Sequence, residues 1–248
     1  MHNIWTIAKR EYKNYFSSPL AYVIGFVILL ILGVLFSAIM FFSSEQAGFG
    51  PAQAPNTEQL VWWYAFLLTI SIPILTMRLI SDEARMGTLE LMLTAPVRDI
   101  ELIIGKWLGA FLYVLSLTLV TLIYPIIMDN FIDPGLDWKV ILASYIGLAL
   151  FTGTLIALGV GISAVFTNQF AAFFITFGLF IFLTFFVGIP ASFMEKGGDI
   201  FEYLSFNTHF FNSMNKGTIA LGDVVYFLSL TALGLFTGST AIEIRRWR

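Results

Sequence analysis

Few side chains in this 248-residue sequence could do covalent chemistry. His209 and Ser213 stand four apart, one helical turn, the spacing at which a base could face a hydroxyl. No base–orienter pair accompanies them in the sequence, so they read as a surface polar pair. Neither His-Glu-x-x-His nor Gly-x-Ser-x-Gly occurs, which removes the common zinc-protease and serine-hydrolase patterns. His2 and His209 lie far apart and cysteine is absent, so neither a histidine-rich metal centre, a thiolate site nor a disulfide is expected. Gly105-Lys106 is followed by Trp107, without the hydroxyl residue and the earlier glycine that a phosphate-cradling loop needs. The chain is therefore expected to hydrolyse no ATP, to bind no cofactor or metal of its own and to have no catalytic residues.

The remaining candidate is the stretch 82–99, DEARMGTLELMLTAPVRD, with six charged residues between two apolar runs. Ser81 is placed to cap a first turn whose Asp82 and Glu83 suit a positive helix end. Gly87 permits a bend, Thr88 can cap a second short helix, and Leu89, Met92 and Leu93 form an apolar face with Glu90 in the first turn. Pro96 stops helix continuation. A short amphipathic helix across the ends of two membrane spans follows. It could float on lipid or be gripped in the groove of a soluble partner.

What must position this element is a membrane body. The chain is 58% hydrophobic and 12% charged, with 26 Phe, too apolar for a soluble domain. Its formal charge of −3 argues against a nucleic-acid partner. Six runs reach the length of about 20 residues that a bilayer requires: about 20–42, 60–80, 107–128, 140–166, 170–190 and 224–242. An all-α membrane protein, one transmembrane domain over residues 1–248, is expected, because lipid offers the backbone no other partner and the ten-residue alternation of a barrel is missing. The first run, 23 apolar residues long, exceeds a signal h-region of roughly 7–15 and reads as a retained anchor.

Ten of the thirteen Lys and Arg flank the N-terminus, the link between runs two and three, and the C-terminus. The positive-inside rule then sets both termini and the 82–99 stretch in the cytoplasm. On the other side, 43–59 is turn-rich, 129–139 is a short acidic link, and the segment of about thirty residues before the last run is expected to form short helices at or dipping into the outer surface. At the N-terminus, Ile4, Trp5, Ala8, Tyr12, Tyr15 and Phe16 share one helical face, with Lys9, Arg10, Lys13 and Asn14 opposite. That is the pattern of an interfacial helix with aromatics in the headgroups and cations toward anionic lipid. Ser18-Pro19 then turns the chain into the first span.

Residues 78–97, RLISDEARMGTLELMLTAPV, followed by Gly105-Lys106, resemble the signature of ABC-2-type permeases. The matched positions are Glu83, Gly87-Thr88-Leu89-Glu90, Leu93, Pro96 and the Gly105-Lys106 pair, with Ser18-Pro19 and the tail Arg245-Arg246-Trp247-Arg248 in keeping. The residues 223–229, DVVYFLS, that open the last span are most similar to the gliding-motility (GldF-like) subgroup. The resemblance implies a membrane subunit whose coupling helix, roughly 87–94, seats in a separate ATPase subunit, with Glu83 and Glu90 as charged contacts and the N-terminal helix as a second contact. It implies ATP and Mg on a dimer of those ATPases, a second permease copy or related chain, and, in the gliding subgroup, a companion protein with an extracytoplasmic domain. The implied setting is a prokaryotic plasma membrane, and the implied role is export or force transmission.

Ala149, Gly153, Ala157 and Gly161 in the fourth span and Gly234 and Gly238 in the last are expected to serve close packing within the chain. Phe170, Phe173, Phe174, Phe177 and Phe180 recur at helical spacing in the fifth; the resemblance makes them candidates to line a route between two copies. The competing class, an ion-coupled carrier or channel, would want charged midplane residues and an inverted repeat, and neither is visible.

Overall fold

Because each apolar run must close its backbone hydrogen bonds within itself, helix is the expected outcome. The computed structural model is helical with no strand throughout the described residues, which are 2–46, 57–88, 97–131, 135–194 and 197–246. An N-terminal helix α1 (His2–Ser17) leads through Ser18 into α2 (Pro19–Gln46), and α3 (Thr57–Thr76) is followed by the short α4 (Ser81–Arg85). Next come α5 (Asp99–Thr121), α6 (Ile123–Asp129), α7 (Trp138–Val165) and α8 (Gln169–Ile181), the last prolonged by a π turn at Phe182–Phe186. Short helical pieces at Ile189–Ser192, α9 (Gly198–Leu204), Asn207–Phe211 and Met214–Lys216 precede α10 (Leu221–Arg246).

Among the described residues six stretches are long and apolar enough to cross a membrane: Pro19–Ser43, Thr57–Arg85, Asp99–Asp129, Trp138–Val165, Gln169–Ala191 and Leu221–Arg246. They coincide with the six expected runs except at the third, which begins at Asp99 and not near 107. The charge of Lys106 interrupts the apolar run, yet that side chain is buried and paired, so the helix runs through it. Glu101 closes the first turn by accepting from the Arg98 amide at 3.2 Å.

The bundle is built around α7, the most buried of the six. Its small residues let neighbours approach to backbone contact. A Cβ on Gly234 of α10 would lie 2.5 Å from the Ala157 carbonyl carbon, and one on Gly161 would lie 2.5 Å from the Gly234 oxygen. Gly159 instead receives a side chain, with Thr76 Oγ1 of α3 2.4 Å from where its Cβ would stand. Gly153 has looser company, with Phe111 of α5 3.5 Å away. The glycine pattern therefore serves packing inside one chain, as expected, with the α7–α10 crossing as its tightest point.

The segment before α10 forms short helices, as expected, and dips into the bundle. Phe206, Phe210 and Met214 are fully buried, Phe210 stacks on Phe151 with ring centroids 4.9 Å apart, and Met214 fills the notch left by Gly147. Three aromatic or thioether side chains thus plug one end of the bundle. Burying these side chains offsets part of the cost of interrupting the helix between Ile189 and Lys216.

The phenylalanine stripe of α8 rolls from surface to core. Phe170 and Phe174 are exposed, Phe173 and Phe177 half-buried and stacked 5.8 Å apart, and Phe180 fully buried.

Candidate functional site at the charged joint

The helix α3 ends at Thr76, and its last carbonyls have no partner within the helix. Side chains from distant elements reach one of these and two carbonyls of the turn 77–80 that follows. Tyr15 of α1 donates its hydroxyl to Leu75 O at 3.2 Å, and Lys106 of α5 donates to Leu79 O at 2.9 Å. Ser163 of α7 donates to Met77 O at 3.2 Å and accepts from the amides of Ile80 and Ser81, both at 3.2 Å. Ser163 is thus the side chain that satisfies the start of α4. Ser81, expected as the cap, is instead the first helical residue and turns its own hydroxyl back to Met77 O.

The four-residue turn and α4 therefore rest on a platform made by three other helices. From that platform α4 carries Asp82 and Glu83 in its first turn and ends at Arg85, with Arg85 3.8 Å from Asp82. Gly87 then adopts φ +72°, a conformation that side chains with a Cβ resist, and nothing lies within 4 Å of its Cβ direction. The glycine is required by the turn and not by crowding. Thr88 donates its hydroxyl back to Glu83 O at 3.3 Å. Leu89, Glu90, Leu93 and Pro96 of the expected coupling segment lie outside the described residues, as does Met92.

Glu83 faces inward. Its Oε1 accepts from Lys106 Nζ at 2.7 Å, and the same ammonium donates to Glu11 Oε1 of α1 at 3.2 Å. Lys106 is 1% exposed and Glu11 6%. Arg10 reaches Glu11 Oε1 from the surface at 3.3 Å, so the charges alternate along Arg10, Glu11, Lys106 and Glu83. A buried ammonium without such partners would be prohibitively costly, and paired in this way it becomes a structural fastener.

Glycines bring α1 within reach of this lysine. A Cβ on Gly105 would meet Ile7 Cβ at 2.7 Å, and one on Gly109 would meet Glu11 Cβ at 2.6 Å and Ala8 O at 2.9 Å. Backbones that close leave α1 and α5 in register along the ridge Ile4, Ala8, Glu11 and Tyr15. The face of α1 that meets α5 accordingly carries a carboxylate, Glu11, among apolar residues. Ala8 and Tyr15 belong to it, but Trp5 (57% exposed) and Phe16 (39%) turn outward with Lys9, Arg10 and Lys13. Tyr15 stacks on Tyr113 with centroids 4.9 Å apart. Its burial first, and the Glu11 carboxylate second, push the Tyr15 phenol above the ordinary tyrosine range, so it remains a donor.

The Lys106–Glu11 pair was missed in the sequence because its members are 95 residues apart. Two signals pointed to it. Gly105 and Gly109 form a small-x3-small pair, and a lysine inside an apolar helix needs a counter-charge.

A second polar cluster holds His209, which is buried at 5% exposure and not the surface residue expected. Its Nδ1 lies 2.6 Å from Asp223 Oδ1 at the start of α10, and its Nε2 lies 2.8 Å from Tyr203 O. Ser213 donates to the other Asp223 oxygen at 2.6 Å. The aspartate stands between serine and histidine, and both ring nitrogens are engaged. No free base nitrogen faces the hydroxyl, so this cluster ties α9 and the Asn207–Phe211 piece to α10 and is not built to activate Ser213.

Residues 5–210 match the family described as ABC-2 family transporter protein. No curated protein matches the chain.

Proposed function

The chain belongs to the ABC-2 transporter family, and on that footing we propose that it is the permease subunit of an ATP-driven transporter whose ATPase is a separate chain. ATP and Mg are bound by two copies of that ATPase. Their closure pushes on the segment 81–97, with Gly87, Thr88, Leu89, Glu90, Leu93 and Pro96 as the contact, while Glu83, expected as a charged contact, is turned inward onto Lys106 and anchors the segment's root; the bundle carries the motion across the bilayer. A second permease copy or a related chain completes the machine, with the exposed Phe170 and Phe174 of α8 facing a route between the copies. The work done is export or force transmission, and DVVYFLS at the head of α10 supports the gliding-motility subgroup, in which a companion protein with an extracytoplasmic domain joins the assembly.

The observation that carries this reading is the joint itself. A short helix projects from the end of a spanning helix and turns at a positive-φ glycine, while its root is fixed by a buried ion pair. An element built merely to float on lipid needs no such anchorage. The distribution of Lys and Arg supports a cytoplasmic position for the joint and both termini, in a prokaryotic plasma membrane, with the exposed Trp5, Lys9, Arg10, Lys13 and Phe16 meeting the headgroups. Among the described residues, the buried Lys, Arg, Asp and Glu side chains inside spanning helices are Lys106 and Asp223, both near the starts of their helices. That leaves the midplane without the charges on which an ion-coupled carrier relies.

Co-purification tests the proposal. The parent chain retains its ATPase and raises its ATP turnover; Glu90→Arg loses at least tenfold in retention. Unchanged retention and turnover in Glu90→Arg would remove this residue from the contact.

A further inference from the structure

We infer that Lys106 is a positioning residue that fastens α1 and α4 into a single lever, so that force applied to the segment after α4 is delivered to the N-terminal helix. The inference rests on the ATPase-driven reading above and specifies where in the membrane body the stroke arrives.

The geometry is saturated. A lysine ammonium has three N–H donors and no acceptor. Here the three acceptors within reach come from three elements: Glu83 on α4 at 2.7 Å, Leu79 O at the end of the second span at 2.9 Å, and Glu11 on α1 at 3.2 Å. No donor is left for water, and at 1% exposure none would reach it. A displacement of α4 away from Lys106 would strand a charge in the interior, which costs far more than carrying the lysine and its other partners along. The same holds for α1, whose backbone is pinned on Gly105 and Gly109.

The surroundings suit a part that moves as one body. A cavity of about 170 Å³, lined among others by Glu11, Asn14, Arg78, Glu83 and Lys106, borders the network between α1 and the second span. The ionisable groups facing the cluster are Arg10, Tyr15, Arg78, Glu11 and Glu83. Arg78 lines the cavity and makes no hydrogen bond or ion pair among the described residues. The lever thus has open space beside it, and its charges are balanced internally.

Glu11→Gln tests this, because it keeps shape and leaves Lys106 with one carboxylate while altering nothing in the 81–97 segment. In the complex with the ATPase, this variant should retain the ATPase within about twofold of the parent yet lose fivefold or more of the stimulation of ATP turnover. A residue that only stabilises the fold would lower both together, and parental stimulation in Glu11→Gln would overturn the inference. A second measurement uses the otherwise cysteine-free parent, spin-labelled at Lys9→Cys with Met86→Cys, or at Lys9→Cys with Glu243→Cys. When ATP closes the ATPases, the first distance should stay constant while the second shifts; a change in the first would overturn the lever. If no ATPase is retained by any form, the ATPase-driven reading fails. The isolated chain then still decides whether Lys106 fastens the two helices, since Glu11→Gln should broaden the Lys9→Cys/Met86→Cys distance distribution, and an unchanged distribution would deny it.

Discussion

Gly109 lies so close to Glu11 that a Cβ placed on it would stand 2.6 Å from the Glu11 Cβ. The contact is backbone to backbone, with Ala8 O only 2.9 Å from the same position, and neither helix has a flexible side chain to withdraw. Gly109→Leu should therefore lift α1 from α5 and cost about 1–3 kcal/mol, the usual range for overpacking. Thiol labelling at Ala8→Cys reads it: that position is fully buried in the parent and should label readily in the Gly109→Leu background. Equal labelling in both would show that α1 is not held there.

Lys106→Met keeps length and removes charge. It leaves Glu83 and Glu11 without their shared cation, and removing one member of a buried pair costs about 3–5 kcal/mol. Thermal unfolding in detergent should show a drop of many degrees. Adding Glu11→Gln and Glu83→Gln to Lys106→Met should recover much of it, because the uncompensated charge is then gone. A triple variant no more stable than Lys106→Met would place the loss elsewhere.

The α7–α10 crossing makes a separate prediction. Gly234→Ala drives a methyl into the Ala157 backbone, 2.5 Å away, where nothing can yield by rotating. Destabilisation of about 1–3 kcal/mol is expected. It should be independent of protein concentration, because the contact lies within one chain; a loss that appears only at low concentration would mark a seam between copies.

His209→Phe keeps the stacking on Tyr226, whose ring centroid lies 4.0 Å away, and removes both ring hydrogen bonds. Leaving the buried Asp223 and the Tyr203 carbonyl short of a donor should cost about 1–3 kcal/mol. Proteolysis between α9 and α10 should accelerate accordingly. A serine-directed phosphonate should leave Ser213 unmodified in the parent, since no ring nitrogen is available to activate it.

The membrane body was legible because a spanning helix announces itself by length and apolarity, and all six runs were legible, five of them within about five residues of their ends and the third starting eight residues late. Small residues in α7 and α10 were equally readable, since only close packing favours Ala157, Gly161 and Gly234 together. What escaped was every polar contact between distant segments. Glu11 sits among cations on α1 and looks solvent-facing until Gly105 and Gly109 draw it inward. Ser163 is one of several hydroxyls in an apolar helix, where the default partner is the preceding turn, and only the fold reveals that it serves Ile80 and Ser81. Asp223 looked like the start of a span, and His209 like a surface residue, because their 2.6 Å contact joins different elements. Periodicity reports which face of a helix is apolar. It does not report which of two charges on that face will find a partner ninety-five residues away.

The central claim, that the segment following α4 is held out to an ATPase in the cytoplasm, is tested most directly by a single cysteine. The natural chain has none, so Glu90→Cys is a unique thiol. In intact cells a membrane-impermeant maleimide should leave it unlabelled, and in inside-out vesicles a short bifunctional reagent should join it to the ATPase, with the yield changing on addition of ATP. Labelling of Glu90→Cys from outside intact cells would contradict the account.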